Sequence, residues 1–413
     1  MSENNWDTIK VSDLVTVLTD YVSNGSFASL AENVEYQQSG YARLIRLVDY
    51  NKGFVEKDSV WVSEDAYNFL AKSKLFGDEI IISNVGEYAG KAFICPNLGY
   101  PMSLAPNSIM MKTSGNDRFY YYYFCSPKGY KQIRNIVTKS GQPKFNKTNF
   151  RELEVPNPPI EVQDAIVKVL KTIDDKIDNN NAICSNLEAM AKLLYDYWFV
   201  QFDFPDENGN PYKSSGGKMV WNYELKREIP AGWEVKRFNE VLMFQKGRMP
   251  DELLDVEDAD HNTQYITINV ANNGIPQYCS SKGMVPCNGQ TLMVMDGAAS
   301  GDVYIGYSGS LGSTLAMLPS KRNDVSDPLI YMMLKSNMPI YKRANVGSTV
   351  PHANRSFIEQ MKIALPNDAK GFSIEFDKIF LKIVACKKEN QQLASLRDFL
   401  LPMLMNGQVK VGA

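Results

Sequence analysis

One stretch of this chain occurs twice, half a chain length apart. The segment from Ile166 to Trp198 reappears 206 positions on, so that Ile166 matches Phe372, Leu170 Phe376, Ile173 Ile379 and Ile177 Ile383. The register continues without a gap through Leu187 and Leu393, Met190 and Leu396, Leu193 and Phe399, Leu194 and Leu400, and Trp198 and Leu404. Gly141 and Gly347, which open the segments leading into these stretches, share the offset. A chain of 413 residues with such a repeat is expected to fold as two similar halves, and similar halves tend to present similar sites.

The repeated stretch has a helical period. Pro158-Pro159 suits a first helical turn and bars the residue before it from helix. From there the seam positions 166, 170, 173, 177, 180, 184, 187, 191, 194 and 198 alternate steps of four and three, the heptad spacing of a coiled coil. The second copy runs through Phe372, Phe376, Ile379, Ile383, Cys386, Leu393, Leu400 and Leu404. Asn390 and Arg397 interrupt it, and Pro402 is expected to kink the helix or end it early. Helices over 158–200 and 367–408, roughly 40 residues each, would be about 60 Å long. Each could serve as a core helix of its own half. A helix that long outruns a domain of about 150 residues, however, so the expectation is an antiparallel pair that packs on itself.

The flanking segments, 1–157 and 231–366, repeat more weakly. Trp6-Asp-Thr-Ile-Lys-Val-Ser-Asp-Leu14 resembles Trp233-Glu-Val-Lys-Arg-Phe-Asn-Glu-Val241. Leu44 to Gly53 resembles Tyr265 to Gly274, and Gly77 to Asn84 resembles Gly289 to Asp296; each reads as a strand running into a turn. The fold class is therefore α+β: two mainly-β domains, with helix, joined through a turn-rich linker over 201–230. Loop lengths differ while strands correspond, which suits a shared scaffold with divergent recognition loops.

Composition narrows the partners. Hydrophobic residues make up 44% of the chain and the net charge is −3. No apolar run reaches the roughly 18 residues of a membrane span, and Met1-Ser-Glu-Asn-Asn-Trp6 lacks the features of a secretory signal. Cysteines 95, 125, 184, 279, 287 and 386 form no C-x-x-C pair, so reduced cytoplasmic thiols are expected. Charge is segregated along the chain. Arg118 to Arg151 contains Arg118, Lys128, Lys131, Arg134, Lys139, Lys144, Lys147 and Arg151 without one acid. The matching stretch, Pro328 to Ile358, contains Lys335, Lys342, Arg343 and Arg355, again without an acid. Such runs are either solvated faces or, given their recurrence in both copies, the footprint of a polyanion.

Motifs for catalysis fail one by one. Asn157-Pro-Pro-Ile160 has Ile where an amino methyltransferase signature has an aromatic residue, and reads as a linker into a helix. Gly86-Glu-Tyr-Ala-Gly-Lys-Ala92 is short of a P-loop and lacks its Ser/Thr. Gly306-Tyr-Ser-Gly-Ser-Leu-Gly312 has no βαβ context. The histidines, His261 and His352, have no partner motif for zinc or nucleophilic chemistry, and Asp203, Asp206 and Asn208 miss the EF-hand spacing. No metal site is expected.

The whole pattern resembles the specificity (S) subunit of type I restriction–modification enzymes. The resemblance rests on Gly141-Gln-Pro-Lys-Phe-Asn-Lys-Thr-Asn-Phe-Arg-Glu-Leu-Glu-Val-Pro156 running into the long helix and on its second version, Gly347-Ser-Thr-Val-Pro-His-Ala-Asn-Arg355. It rests further on Trp198-Phe-Val-Gln-Phe-Asp-Phe-Pro205, on Ile229-Pro-Ala-Gly-Trp233 and on the strand motifs. The first half begins at Trp6 without the Pro-x-Gly-Trp lead-in. The resemblance implies two target recognition domains held apart by antiparallel helices, each reading one half of a split double-stranded DNA sequence. It implies two methyltransferase subunits docked along the helices, joined by ATP-driven translocase–nuclease subunits, in a prokaryotic defence system. S-adenosylmethionine, Mg²⁺ and ATP would belong to those partners, and this chain would bind no cofactor and catalyse nothing alone.

In that setting Lys139, Lys144, Lys147, Arg343 and Arg355 are candidate phosphate contacts. Gln37, Gln38, Arg43, Asn269, Asn272 and Asn273 are candidate base readers, since their paired donors and acceptors match base edges. Tyr120 to Tyr123 could stack on a flipped base, but a core segment fits the run better. Two other classes stay open: a methyltransferase or nuclease chain with its own recognition domains, and a coiled-coil scaffold that binds no DNA.

Overall fold

The computed structural model describes residues 6–138, 141–271, 276–347 and 349–409. The chain divides into two compact units, one formed by Met1–Ile177 with Gln391–Ala413 and the other by Asp178–Asn390. The division runs through both long helices, Ile160–Tyr195 and Lys370–Met405, so each unit holds a section of each.

In the first unit, Val15–Asp20, Ser108–Thr113, Ile80–Ser83 and Ala92–Ile94 lie side by side in that order, all antiparallel. A second sheet runs Val60–Val62, Ala42–Ile45, Met102–Leu104, Lys74–Leu75, with a parallel pairing at its centre. Thr8–Lys10 pairs with Glu154–Pro156. The second unit repeats this order. Gln245–Lys246, Leu315–Met317, Leu292–Val294 and Val303–Tyr304 make one sheet; Gln277–Cys279, Thr263–Ile266, Ser308–Leu311 and Pro286–Asn288 make the other, parallel at the same place. Trp233–Arg237 pairs with Lys362–Pro366.

The alternation of side chains along a strand explains why Ile80-Ile81-Ile82 is apolar throughout. Ile80 and Ile82 join the core around Phe119 and Tyr123, while Ile81 faces a second core with Phe93 and Leu104. In the other unit Met293 takes the first role and Leu292 and Val294 the second. The hairpins agree: Ile82 pairs with Ala92 as Met293 pairs with Val303. Ile82 therefore corresponds to Met293, one residue off the match of Gly77 with Gly289 expected from sequence. A one-residue slip exchanges the two faces of a strand, so burial decides the register.

Within each unit the helix sections run antiparallel. In the first unit Ile166 and Leu170 share a core with Leu401, Leu404 and Met405, and Arg397 Nη1 donates to Asp174 Oδ1 at 3.0 Å. In the second unit Asn180 Nδ2 donates to Asn390 Oδ1 at 2.9 Å, and Asn390 Nδ2 donates to Asn181 Oδ1 at 2.9 Å. The two polar interruptions of the seam thus have polar partners across it. Farther along, Ile383 and Ile379 are buried with Cys184 and Ala191, and Trp198 meets Phe372 edge to face at 5.5 Å. Ile173 is buried, while Ile177, Leu187, Leu194, Leu393 and Leu400 are half-buried.

The second helix runs through Pro402 and ends at Met405, three residues short of the expected 408. Leu401, Leu404 and Met405 are buried around Pro402, and this packing offsets the one hydrogen bond that proline removes. The first helix ends in a π-helical turn, Asp196–Val200. Tyr120 and Tyr123 are fully buried in the helix Asp117–Cys125, with hydroxyls committed to Asn157 and Gln132.

Candidate nucleic-acid interface

The segment that carries the phosphate candidates is fastened to the central hairpin in both units. In the first, Gly86 N donates to Pro143 O at 2.8 Å and Phe145 N to Asn84 O at 3.1 Å, which sets Lys144 opposite Val85. Asn146 then caps the short helix Lys147–Arg151 by accepting from Asn149 N. Buried Phe145 and Phe150 anchor the segment. In the second unit Gly297 N donates to Pro351 O at 2.9 Å and Ala353 N to Met295 O at 2.8 Å, with His352 opposite Asp296. Asn354 caps Arg355–Gln360 by accepting from Phe357 N. Lys144 thus corresponds to His352 and Lys147 to Arg355, two positions beyond the match of Gly141 with Gly347. The second copy carries two more residues between its glycine and its proline.

The backbone at both glycines is left-handed, with φ of 71° at Gly141 and 96° at Gly347. A Cβ on Gly347 would lie 2.3 Å from Val350 O, so glycine is required there on two counts.

Basic runs that are free of acid in sequence are not free of acid in space. Lys147 Nζ lies 2.8 Å from Asp20, and Arg118 and Lys342 pair with Asp78 and Asp302. Arg355 pairs with Glu359 and lies over the Phe244 ring at 5.3 Å. Lys128, Lys131, Lys144 and Arg151 in the first unit, and Arg343 in the second, are exposed and make no ion pair among the described residues. In the second unit Lys246 Nζ and His352 Nδ1 both reach Asp296, at 3.0 and 2.8 Å. Burial alone would raise the Asp296 pKa, but those two partners outweigh it and hold the carboxyl below its usual range.

Among the candidate base readers, Gln37, Gln38 and Asn269 are exposed. The Gln37 backbone is fixed by two hydrogen bonds to Trp61. Arg43 is a correction: it is fully buried and cannot touch DNA. The strand Ala42–Ile45 is covered on both faces, so its guanidinium turns inward to Phe54 O, Val55 O, the Tyr100 hydroxyl and Asp49. Lys139, Asn272 and Asn273 lie outside the described residues.

Sequence reasoning missed Arg46, Tyr36 and Tyr88. All three line a cleft of about 450 Å³ in the first unit, over a floor that includes Leu44, Val60 and Ala105. Tyr36 directly precedes Gln37-Gln38 and Arg46 follows the strand of Arg43, so the signal was adjacency to residues already chosen. Among the described residues no group of three His, Cys, Asp or Glu side chains could hold a metal ion. No helix among them is long and apolar enough to cross a membrane.

A family model described as the type I restriction modification DNA specificity domain matches residues 3–189 and 230–384. The type I restriction enzyme MjaIX specificity subunit of Methanocaldococcus jannaschii is 26% identical over 318 residues, 74% of this chain and 72% of that one. The HindI specificity subunit of Haemophilus influenzae is 23% identical over 331 residues, 64% of this chain and 70% of that one. The crystal structure of the S subunit of a type I system from M. genitalium superposes with a TM-score of 0.57 at 15% identity, covering 98% of this chain and 97% of that one. That last likeness is one of fold.

Proposed function

This chain belongs to the type I restriction–modification DNA specificity family, and from that premise we propose that each of its two units reads one half-site of a split duplex target. By family it is a non-catalytic specificity subunit. The observation that carries the two-site reading is the duplicated scaffold: identical sheet order in both units, with the same basic segment fastened at the same hairpin. Lys144 and Arg343 contribute phosphate contacts that fix register without reading sequence, and loop side chains such as Gln37, Gln38 and Asn269 reach base edges. The repeat is strictest in the helices, which suits a pair that sets the number of base pairs between the half-sites.

Methylation of adenine and cleavage would then belong to partner subunits in a prokaryotic cytoplasm, together with S-adenosylmethionine, Mg²⁺ and ATP. Two methyltransferase copies would dock on the helices. Met190 and Leu193 are exposed at 47% and 70%, and their counterparts 206 positions on, Leu396 and Phe399, at 46% and 64%. A matched outward apolar pair in each unit suits one partner per unit.

The test is selection from random duplexes by the chain assembled with its methyltransferase partner, followed by binding across a salt series. A split motif and an affinity that falls steeply with salt are expected. Salt-insensitive binding without a motif would favour the scaffold reading, and methylation by the purified chain alone would favour the enzymatic one.

A further inference from the structure

The cleft lined by Tyr36, Arg46 and Tyr88 has a shape that contact with a base edge in a groove does not require. Its apolar floor includes buried Leu44 and Ala105 and half-buried Val60, and its volume of about 450 Å³ falls within the roughly 300–1,000 Å³ of small-molecule sites. Tyr36 and Tyr88 come from separate loops and are exposed at 53% and 54%, so two rings stand ready at its wall. Burial, with Tyr36 beside it, pushes the Tyr21 phenol up. Lys91 Nζ lies 5.9 Å from the Tyr88 ring centroid and is itself anchored to Asn51.

Arg46 is preorganised. Its Nε and Nη2 are both taken by Asp49, and Nη2 also donates to Asp58 O, while Nη1 makes no hydrogen bond among the described residues. A locked guanidinium with one spare edge is a single, directed donor. Arg46 and the acid Glu87 line the cleft; outside it, Lys91 lies next to Tyr88 and the Lys144 backbone is paired with that of Val85, a lining residue. An aromatic, apolar-floored cleft beside phosphate-seeking lysines fits a nucleotide better than it fits an apolar peptide.

We propose that this cleft receives one base of the first half-site, extruded from the duplex stack and recognised by Tyr36, Tyr88 and the Nη1 of Arg46. The base is one other than the base the partner methylates, and its edge offers Arg46 a hydrogen-bond acceptor. Extrusion exposes the flat ring that a tyrosine can stack on, and it is easiest where pairing is weak. The second unit is built differently at this place: Ala299 stands where the hairpin match puts Tyr88, and Thr267 where the strand match puts Arg46. The device would therefore serve one half-site only.

The inference rests on the DNA-reading function proposed above, and the experiment separates the two. The complex with its methyltransferase partner is first used to select the split motif; a wild-type complex that selects none overturns the DNA reading itself. Duplexes are then made with an abasic site opposite each base of the first half-site in turn. An extruded base no longer has to break a pair, so affinity should rise about tenfold at that position, equivalent to one RT ln 10 step. The gain should vanish in Tyr88→Ala, whose side chain is exposed, and in Arg46→Ala, with folding of each variant checked by its melting temperature, while any gain at the methylated base persists. If only the methylated base gains, or if the gain survives in both variants, the cleft does not hold a base.

Discussion

Asp49 grips Arg46 at two points, with Nε to Oδ2 and Nη2 to Oδ1 both at 2.9 Å. The same carboxylate backs onto buried Arg43 at 3.4 Å. Burial alone would raise the Asp49 pKa, but the Arg46 hydrogen bonds and charge, followed by the Arg43 charge, hold it below the usual range. One acid thus serves a structural arginine behind it and an accessible one in front. Asp49→Ala would leave Arg43 charged and buried without its counter-ion, at a cost of about 3–5 kcal/mol. Urea denaturation should show that loss. Equal midpoints for Asp49→Ala and wild type would disprove this division of roles.

Asp324 fastens the start of the second long helix. Its carboxylate accepts from Arg322 Nε at 2.9 Å and from Ala369 N at 2.8 Å, just ahead of Lys370. The bond from Arg322 is the main reason that the carboxyl is lowered to about 2. Because the folded value lies below the unfolded one near 4, the stabilisation is fully present above about pH 4 and is lost as pH falls toward 2. It amounts to on the order of 2 kcal/mol. Melting temperature should fall across that window in the wild type and respond less in Asp324→Asn, which starts lower. Parallel curves for the two proteins would count against the linkage.

The legible parts of this fold are those set by local periodicity. Heptad spacing placed both helices within a few residues, because a 3.6-residue repeat shows in one sequence. Strand register was harder: Ile80, Ile81 and Ile82 are all apolar, so nothing in the sequence says which faces which core, and the match slipped by one. Arg43 and Arg46 show why the site was less legible still. One lies within the strand Ala42–Ile45 and the other directly after it, and only the second layer covering the strand decides that the first is buried. Tyr36 and Tyr88 lie far apart in the chain and line one cleft only through the tertiary fold.

Asn180 and Asn390 form a polar contact inside a mainly apolar seam. Such pairs cost stability while fixing register and partner number. Asn180→Leu with Asn390→Leu should raise the melting temperature yet give mixed oligomers by light scattering. A single monodisperse species with raised stability would mean that register is set elsewhere.

Lys144 is exposed and unpaired among the described residues, whereas Lys147 is tied to Asp20 and Ser23. Removing one phosphate contact lowers the slope of log K against log salt by about 0.9. Lys144→Ala should do so for every duplex alike. Lys144→Glu with Lys147→Glu should weaken all duplexes further. Part of that effect should be domain loosening, because the second change sets a carboxylate against Asp20. A shift in sequence preference in Lys144→Ala would contradict a backbone contact.

Leu193 and Phe399 occupy equivalent positions in the two repeats and are 70% and 64% exposed. Neither contributes to a core, so replacing either by Glu should leave the melting temperature nearly unchanged. A partner that buries them would meet an unpaired charge in an apolar contact, which is costly. Leu193→Glu should therefore release one methyltransferase subunit and retain the other, Phe399→Glu should release the opposite one, and the double variant should release both. Mass measurement of the assembled particles reads the count directly. If both single variants still hold two partners, the methyltransferases dock on a different surface of the helices, and the matched exposure of these two side chains has no part in assembly.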